Sequence, residues 1–510
     1  MPDTAAAPRT SIVQSTLARD RLGVPAIVYF VVSAAAPLTV TAASIPAAWA
    51  TTKIVGLPLA ILVTAVPLAL FAVGYTAMSK HIVNAGAFYA YLSRGLGRIP
   101  GVAGALVALV AYCSLQISLY GGLGVVAAGF GNQYFGWTAP WWVYSLVAWA
   151  IVAACGLARI TVNAKVLAVL LGAELVVIVI FCLAMAGRLS SEANLHVGWA
   201  GLSGTAATSA GITALVVGSV VAVSDYTGFE DSANYSEESR NPRRTVRVAT
   251  YVALGTMAIV YTLTTWLMSA VAGSGQIVAV AGKQGTELIF ALSRPGLPGW
   301  LGWLVVAGHI LLMTSLLACA IAFHNTLGRY AFALGRERVL PKAFGYTWSR
   351  TLSPAVASLT QTGLALLAIA VVAFTGADPL VKLGFWLGSL AGLGVMVLMA
   401  ATCIAVIGYF YRDPAARAQE SVWSTAIAPA LGAVLLVFMV IVTVANYAKV
   451  LGVQPGDPLV TWFLSVYAVA VVLGVVRGLW MRFRRPETYA GIGYGADASA
   501  RHQRPVDTPA

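Results

Sequence analysis

Apolar residues fall in stretches of roughly twenty to thirty, broken by short polar segments, and the pattern repeats from about residue 23 to about residue 484. A helix needs ~20 mostly apolar residues to cross the hydrocarbon of a bilayer. On that rule the chain predicts twelve membrane helices, at about 23–50, 54–78, 101–128, 138–157, 165–187, 208–232, 247–272, 300–330, 354–375, 379–410, 424–447 and 458–481. Lipid offers no partner to a backbone N–H or C=O, so each stretch must satisfy its own backbone as a helix. The expected fold class is all-α integral membrane.

Composition agrees with the pattern. Of 510 residues, 59% are hydrophobic and 10% charged, against roughly a quarter charged in an ordinary soluble domain. No long polar interruption divides the chain, so residues 23–485 read as one membrane domain. Residues 1–22 read as a short inner tail: they hold Arg9, Arg19 and Arg21 and lack the apolar core and cleavage site of a signal peptide. Residues 486–510, rich in Gly, Ala, Asp and Arg, read as a disordered inner tail.

The net charge of +13 sits between apolar spans and not on one soluble face, which argues against nucleic acid and for the lipid bilayer as partner. With the amino terminus inside, all Lys and Arg except Lys53, Arg188, Lys283, Arg294, Lys382 and Lys449 fall on the inner side. The positive-inside rule then puts both termini in the cytoplasm, in a multi-pass protein of the cell membrane. Cys113, Cys155, Cys182, Cys319 and Cys403 all lie inside apolar stretches without metal spacing and read as small buried hydrophobes.

Two spans depart from plain helix. Span one contains Ser33, Ala34, Ala35, Ala36, Pro37, Leu38 and Thr39, where Pro37 removes a backbone donor in mid-membrane. Span six contains Ser224, Asp225, Tyr226, Thr227 and Gly228, an acid and a glycine inside an apolar segment. Both are first helices of a five-helix unit, one to five and six to ten. Matched interruptions in two halves of a chain point to a transporter site, because unwound backbone offers free N–H and C=O groups to a ligand. A simple proline kink and a packing glycine are the plainer alternative.

The segment Gly228 to Arg244, GFEDSANYSEESRNPRR, resembles the amino acid, polyamine and organocation superfamily of secondary transporters. Asn84 to Gly97 (NAGAFYAYLSRGLG) and His324 to Pro341 (HNTLGRYAFALGRERVLP) resemble that family's inner segments entering helix three and joining helices eight and nine. The resemblance implies a five-plus-five inverted repeat, repeat one at about 23–190 and repeat two at about 205–410. Two extra carboxy-terminal helices follow at 424–481, and substrate is expected at the breaks of helices one and six. Alanines and Pro37 stand where the family carries a Gly-Ser-Gly break, so the region Ser33 to Thr39 is carried over and no single donor within it.

Asp225 costs ~2.5–3.5 kcal/mol at membrane depth. It could meet the substrate's ammonium or a coupling ion, helped by carbonyls of Ser224 and Tyr226, or it could be a protonated structural acid. Glu174 lies in the middle of span five, and the family resemblance implies that this position faces the breaks of helices one and eight. There a carboxylate could bind sodium with the hydroxyls of Thr314 and Ser315, carry a transported proton itself, or simply pair within the bundle. Glu230, Asp231, Glu237 and Glu238 are expected to pair with Arg240, Arg243 and Arg244, with a gating role only if desolvated in one conformer, and Glu230 is also a candidate for ion or proton coupling. His309 is placed in the middle of span eight, as a proton relay or a packing residue. Tyr112, Gln116, Phe385, Trp386 and Ser389 could line or close a cavity.

These features predict a permease for amino acids, ion-coupled or exchanging, with a polyamine or other organic amine as the nearest alternative substrate. A membrane sensor of the same ligand is disfavoured by the lack of a sizeable soluble output domain. No Walker loop, HExxH or GxSxG with partners suggests an enzyme or a cofactor.

Overall fold

The computed structural model describes residues 13–14, 16–192, 199–207, 218–219 and 222–495. The apolar stretches are helices: α1 (Val24–Thr52), α2 (Leu57–Ser79), α3 (Arg98–Phe135), α4 (Trp141–Leu157), α5 (Ile160–Ser191), α6 (Pro242–Ala272), α7 (Trp303–Arg336), α8 (Ala355–Thr375), α9 (Leu380–Arg412), α10 (Trp423–Ala445) and α11 (Pro458–Arg484). Among the described residues, ten helices are long and apolar enough to cross a membrane; α4 is a shorter apolar helix. The expected sixth span at 208–232 falls partly outside the described residues. What is described ends earlier than expected: helix stops after Tyr226, a turn takes Thr227 and Gly228, and a 3-10 helix runs over Phe229–Glu238. The acids of that stretch break the apolar run, and their side chains turn inward to partners on other helices.

The arrangement places α1 against α5, α6 and α7, while the long α3 packs on α4, α7, α9 and α11. Small residues set the closest approaches, as they do where membrane helices pack by shape. A Cβ at Gly95 would stand 2.0 Å from the Ala405 carbonyl oxygen on α9, so only glycine fits there. The outer faces of α10 and α11 show Val434, Phe438, Ile441, Val469, Val472 and Val476 exposed, an apolar surface suited to lipid.

One end of the bundle collects distant parts of the chain. Val13–Gln14 pairs antiparallel with Thr347–Trp348, Leu22 bridges Ser239, and Lys80 reaches Glu420 at 2.8 Å. The expected disordered tail is corrected in part here. Pro486–Ala490 is a short helix, Ile492 is buried, and the amides of Gly493 and Gly495 donate to the Glu337 carboxylate at 2.5 and 2.9 Å. The Arg94 guanidinium lies over the Tyr494 ring at 4.2 Å. Docked backbone donors and one buried isoleucine hold a segment that composition alone marks as loose; residues 496–510 lie outside the described residues.

Candidate functional site

The first break is made by Ala36, which adopts left-handed backbone (φ 45°, ψ 66°) directly before Pro37. Proline cannot supply the amide that a continuous helix would use, and the turn frees carbonyls upstream and amides downstream. The freed groups find partners. Tyr261 of α6 donates to the Ala35 carbonyl at 2.8 Å, and the Cys319 thiol of α7 donates to the Ala34 carbonyl at 2.9 Å. Downstream, the Leu38 amide donates to the Glu174 carboxylate, and the Thr39 amide reaches the Ser315 hydroxyl at 3.3 Å. Ser315 itself donates to Glu174 at 2.9 Å. Glu174 thus sits at the positive end of the second half of α1, where a carboxylate is electrostatically favoured.

The second break lies beside the first. Gly228 has φ 121°, and a Cβ there would come within 2.8 Å of Ala34 Cβ. Its amide is taken by the Glu230 carboxylate at 2.9 Å. Between the breaks opens a cavity of about 250 Å³. Asp225 faces it, one oxygen accepting a 2.5 Å hydrogen bond from Ser44, in the last turn of a π-helical stretch, Val40–Ser44. Opposite walls are largely apolar, Leu115 and Leu119 of α3, Phe323 of α7, and Phe385 and Leu393 of α9, with the hydroxyls of Ser118, Ser389 and Thr443 among them.

Beneath the second break lies a buried acidic layer. Glu230 accepts from Tyr112 at 3.2 Å and Asp231 from Thr326 at 3.0 Å. The expected pairing with Arg240, Arg243 and Arg244 is corrected. Glu238 pairs with Arg329 and Glu237 with Arg336, the latter through two contacts of 2.6 Å, both arginines coming from α7. Arg243 and Arg244 are exposed, and among the described residues neither Glu230 nor Asp231 has an ion-pair partner. Sequence neighbours lost to a distant helix because the 3-10 turn aims these acids at α7. Burial pushes Glu237 up, the Arg336 guanidinium pulls it down further, and the balance leaves it below the usual glutamate range.

Of the expected site residues, Ala34, Ala35, Ala36, Thr39, Ser224, Asp225, Thr227, Phe385 and Ser389 line the cavity. Ser33, Pro37 and Gly228 shape the breaks without lining it. Tyr226 turns away, its hydroxyl donating to the Ile61 carbonyl at 3.3 Å. Gln116 joins a separate buried network with Tyr120, His324 and Gln361. Trp386 donates to the Leu451 carbonyl at 3.3 Å, with the Lys382 ammonium 3.5 Å over its ring. Thr314 is corrected: its hydroxyl returns to the Leu311 carbonyl at 3.1 Å, because adjacent helical residues point about 100° apart, and Ser315 alone meets Glu174. His309 is corrected too. It lies in the second turn of α7, not mid-span, held by Glu287 at 2.9 Å and Tyr134 at 3.0 Å. Ser44, Cys319 and Phe323 also line the cavity and are not among the residues expected there. Ser315, Cys319 and Phe323 recur every four residues, so one helical stripe through Ser315 would have found two of them.

A bundle of apolar helices with a polar cavity between two helix breaks is the build of a membrane permease. The chain belongs to the amino acid permease family, whose profile matches residues 22–476. It is also similar to the cationic amino acid transporter 3, mitochondrial, of Arabidopsis thaliana, at 27% identity over 150 residues. That match spans 29% of this chain and 23% of the relative.

Proposed function

We propose that the protein is a secondary active transporter that carries amino acids across the cell membrane by alternating access, with proton movement coupled at Glu174. The observation that carries this reading is the cavity shared by two helix breaks, with Asp225 as its acid. In the twelve-helix, five-plus-five arrangement, one helix bundle would rock against the other around that cavity. The pairs Glu238–Arg329 and Glu237–Arg336 tie the segment after the second break to α7. They would part when the inner side opens.

Glu174 suits a proton better than sodium. A sodium site needs several oxygen acceptors turned to the ion, whereas here the Leu38 amide and the Ser315 hydroxyl donate to Glu174, and the Ser315 oxygen already accepts from Thr39. Protonation would weaken its hold on the second half of α1 and so bias the break's geometry. Proteoliposomes given a proton or a sodium gradient test this. Accumulation of labelled amino acid should follow the proton gradient, and Glu174→Gln should lose accumulation while keeping exchange. Proton-driven accumulation persisting in Glu174→Gln would remove this residue from coupling.

A further inference from the structure

A ligand carboxylate arriving at a broken helix is normally received by the unpaired amides at the start of the second half. In this protein the amides at the two turns are spoken for. The Ala36 amide donates to the Ser33 carbonyl at 3.1 Å, Pro37 has none, the Leu38 amide goes to Glu174, and the Thr39 amide goes to Ser315. At the second break, the Thr227 amide donates to the Ser224 carbonyl at 3.1 Å and the Gly228 amide to Glu230 at 2.9 Å. Two protein carboxylates therefore occupy the places a ligand carboxylate would need. The cavity wall offers only hydroxyls in their place, among them Ser118, Ser389 and Thr443; of the described residues that line it, Asp225 carries charge and none is Lys, Arg or His. A second anion brought in here would meet like charge in a low dielectric with neutral hydroxyls and no cation to offset it, whereas an ammonium meets Asp225 directly.

We propose that this site recognises its substrate by the ammonium group and without using a carboxylate, so that carboxamides and simple primary amines of matching shape bind as well as the parent amino acid. The inference rests on the transport reading above and narrows it. Length is limited by the cavity, about 250 Å³ with largely apolar far walls, which fits an amine of amino-acid size with an apolar tail. Glu174 has a second part in this account: its own carboxylate serves as the permanent occupant of the helix end.

Matched sets built on alanine, leucine, phenylalanine and lysine test the proposal on the purified full-length protein. Each set holds the amino acid, its carboxamide, its decarboxylated amine and its N-acetyl derivative, read by calorimetry and by competition against uptake in proteoliposomes. In whichever set binds, loss of the carboxylate should change Kd by about threefold or less, and loss of the ammonium by about tenfold or more. Glu174→Ala, if folded, should free the Leu38 amide and shift preference back toward the carboxylate-bearing member. If an amino acid is accumulated but its amide and amine bind tenfold or more weakly, this proposal fails and the transport reading stands. If no member of any set binds or is carried, the cavity is not the substrate site and both fail.

Discussion

A carboxyl group at membrane depth is stable only with partners, and Asp225 has one visible hydroxyl, from Ser44, with its remaining capacity turned to the cavity. Asp225→Asn keeps the shape and removes the charge. A charged hydrogen bond lost from a buried site costs ~1.5–3 kcal/mol, so binding of ammonium ligands should weaken by about one to two decades. Calorimetry on neutral analogues of the same shape should show a smaller loss; equal losses for both would mean that Asp225 only supports the fold. Glu237 gives a pH test. Its folded value lies below the ordinary glutamate value, so its ionised form favours the folded state. That contribution is complete above the unfolded value and disappears as pH falls through the depressed one. Thermal stability should hold from neutral pH down to the ordinary glutamate range and then decline. Glu237→Gln, which leaves the Arg336 cation buried and half-satisfied, should be less stable at neutral pH by about 3 kcal/mol and should converge on the wild type in acid. Parallel curves at all pH values would show that the pair contributes nothing.

Helix breaks were the most legible elements. Pro37 and the Asp225–Gly228 stretch announced them as interruptions of apolar pattern, and both lie where expected, Ala36 taking the left-handed backbone that a glycine often supplies. Their contact was not legible, because which break touches which depends on bundle geometry. Gly228→Ala tests that contact. Its φ of 121° and the 2.8 Å approach to Ala34 Cβ leave no room for a methyl group. The variant should lose about 1–3 kcal/mol of stability and most of its substrate affinity, since relief would push the breaks apart; a fully active variant with unchanged Tm would mean that the two segments move independently. Helix faces were also hard to read. Periodicity in an all-apolar span is weak, so Thr314 and Ser315 looked equivalent, and only the packing of α7 on α1 and α5 separates them. The ion pairs are hidden for the same reason: charge neighbours in sequence, Arg243 and Arg244, lie on the exposed start of α6, while the partners sit 91 and 99 residues away on α7.

At the scale of the whole molecule, the charge pattern and the fold make a joint statement about sidedness. Residues 13–14 and 16–22, the start of α6, the end of α7, the turn after α9 and the docked segment 486–495 gather at one end of the bundle. That end carries Arg240, Arg243, Arg244, Arg336, Arg338 and Arg412, whereas Lys283 is exposed in the short helix Ile277–Gln284 between α6 and α7, a segment that packs near Thr52 and not near the arginines. Inserted helices keep their basic loops in the cytoplasm, so the arginine-rich end should face inward and Lys283 outward. Single cysteines at Arg243, Arg338 and Lys283, introduced after replacing the five native cysteines, read this directly in intact cells. A membrane-impermeant maleimide should label Lys283→Cys from outside and should reach Arg243→Cys and Arg338→Cys only after permeabilisation. Arg243 is the stronger reporter because it is exposed, while Arg338 is half-buried beneath α11, where Arg477 donates to its carbonyl at 3.0 Å. Labelling of Arg243→Cys from outside would reverse the orientation of the bundle, and with it the assignment of the Glu237–Arg336 and Glu238–Arg329 pairs to the inner side.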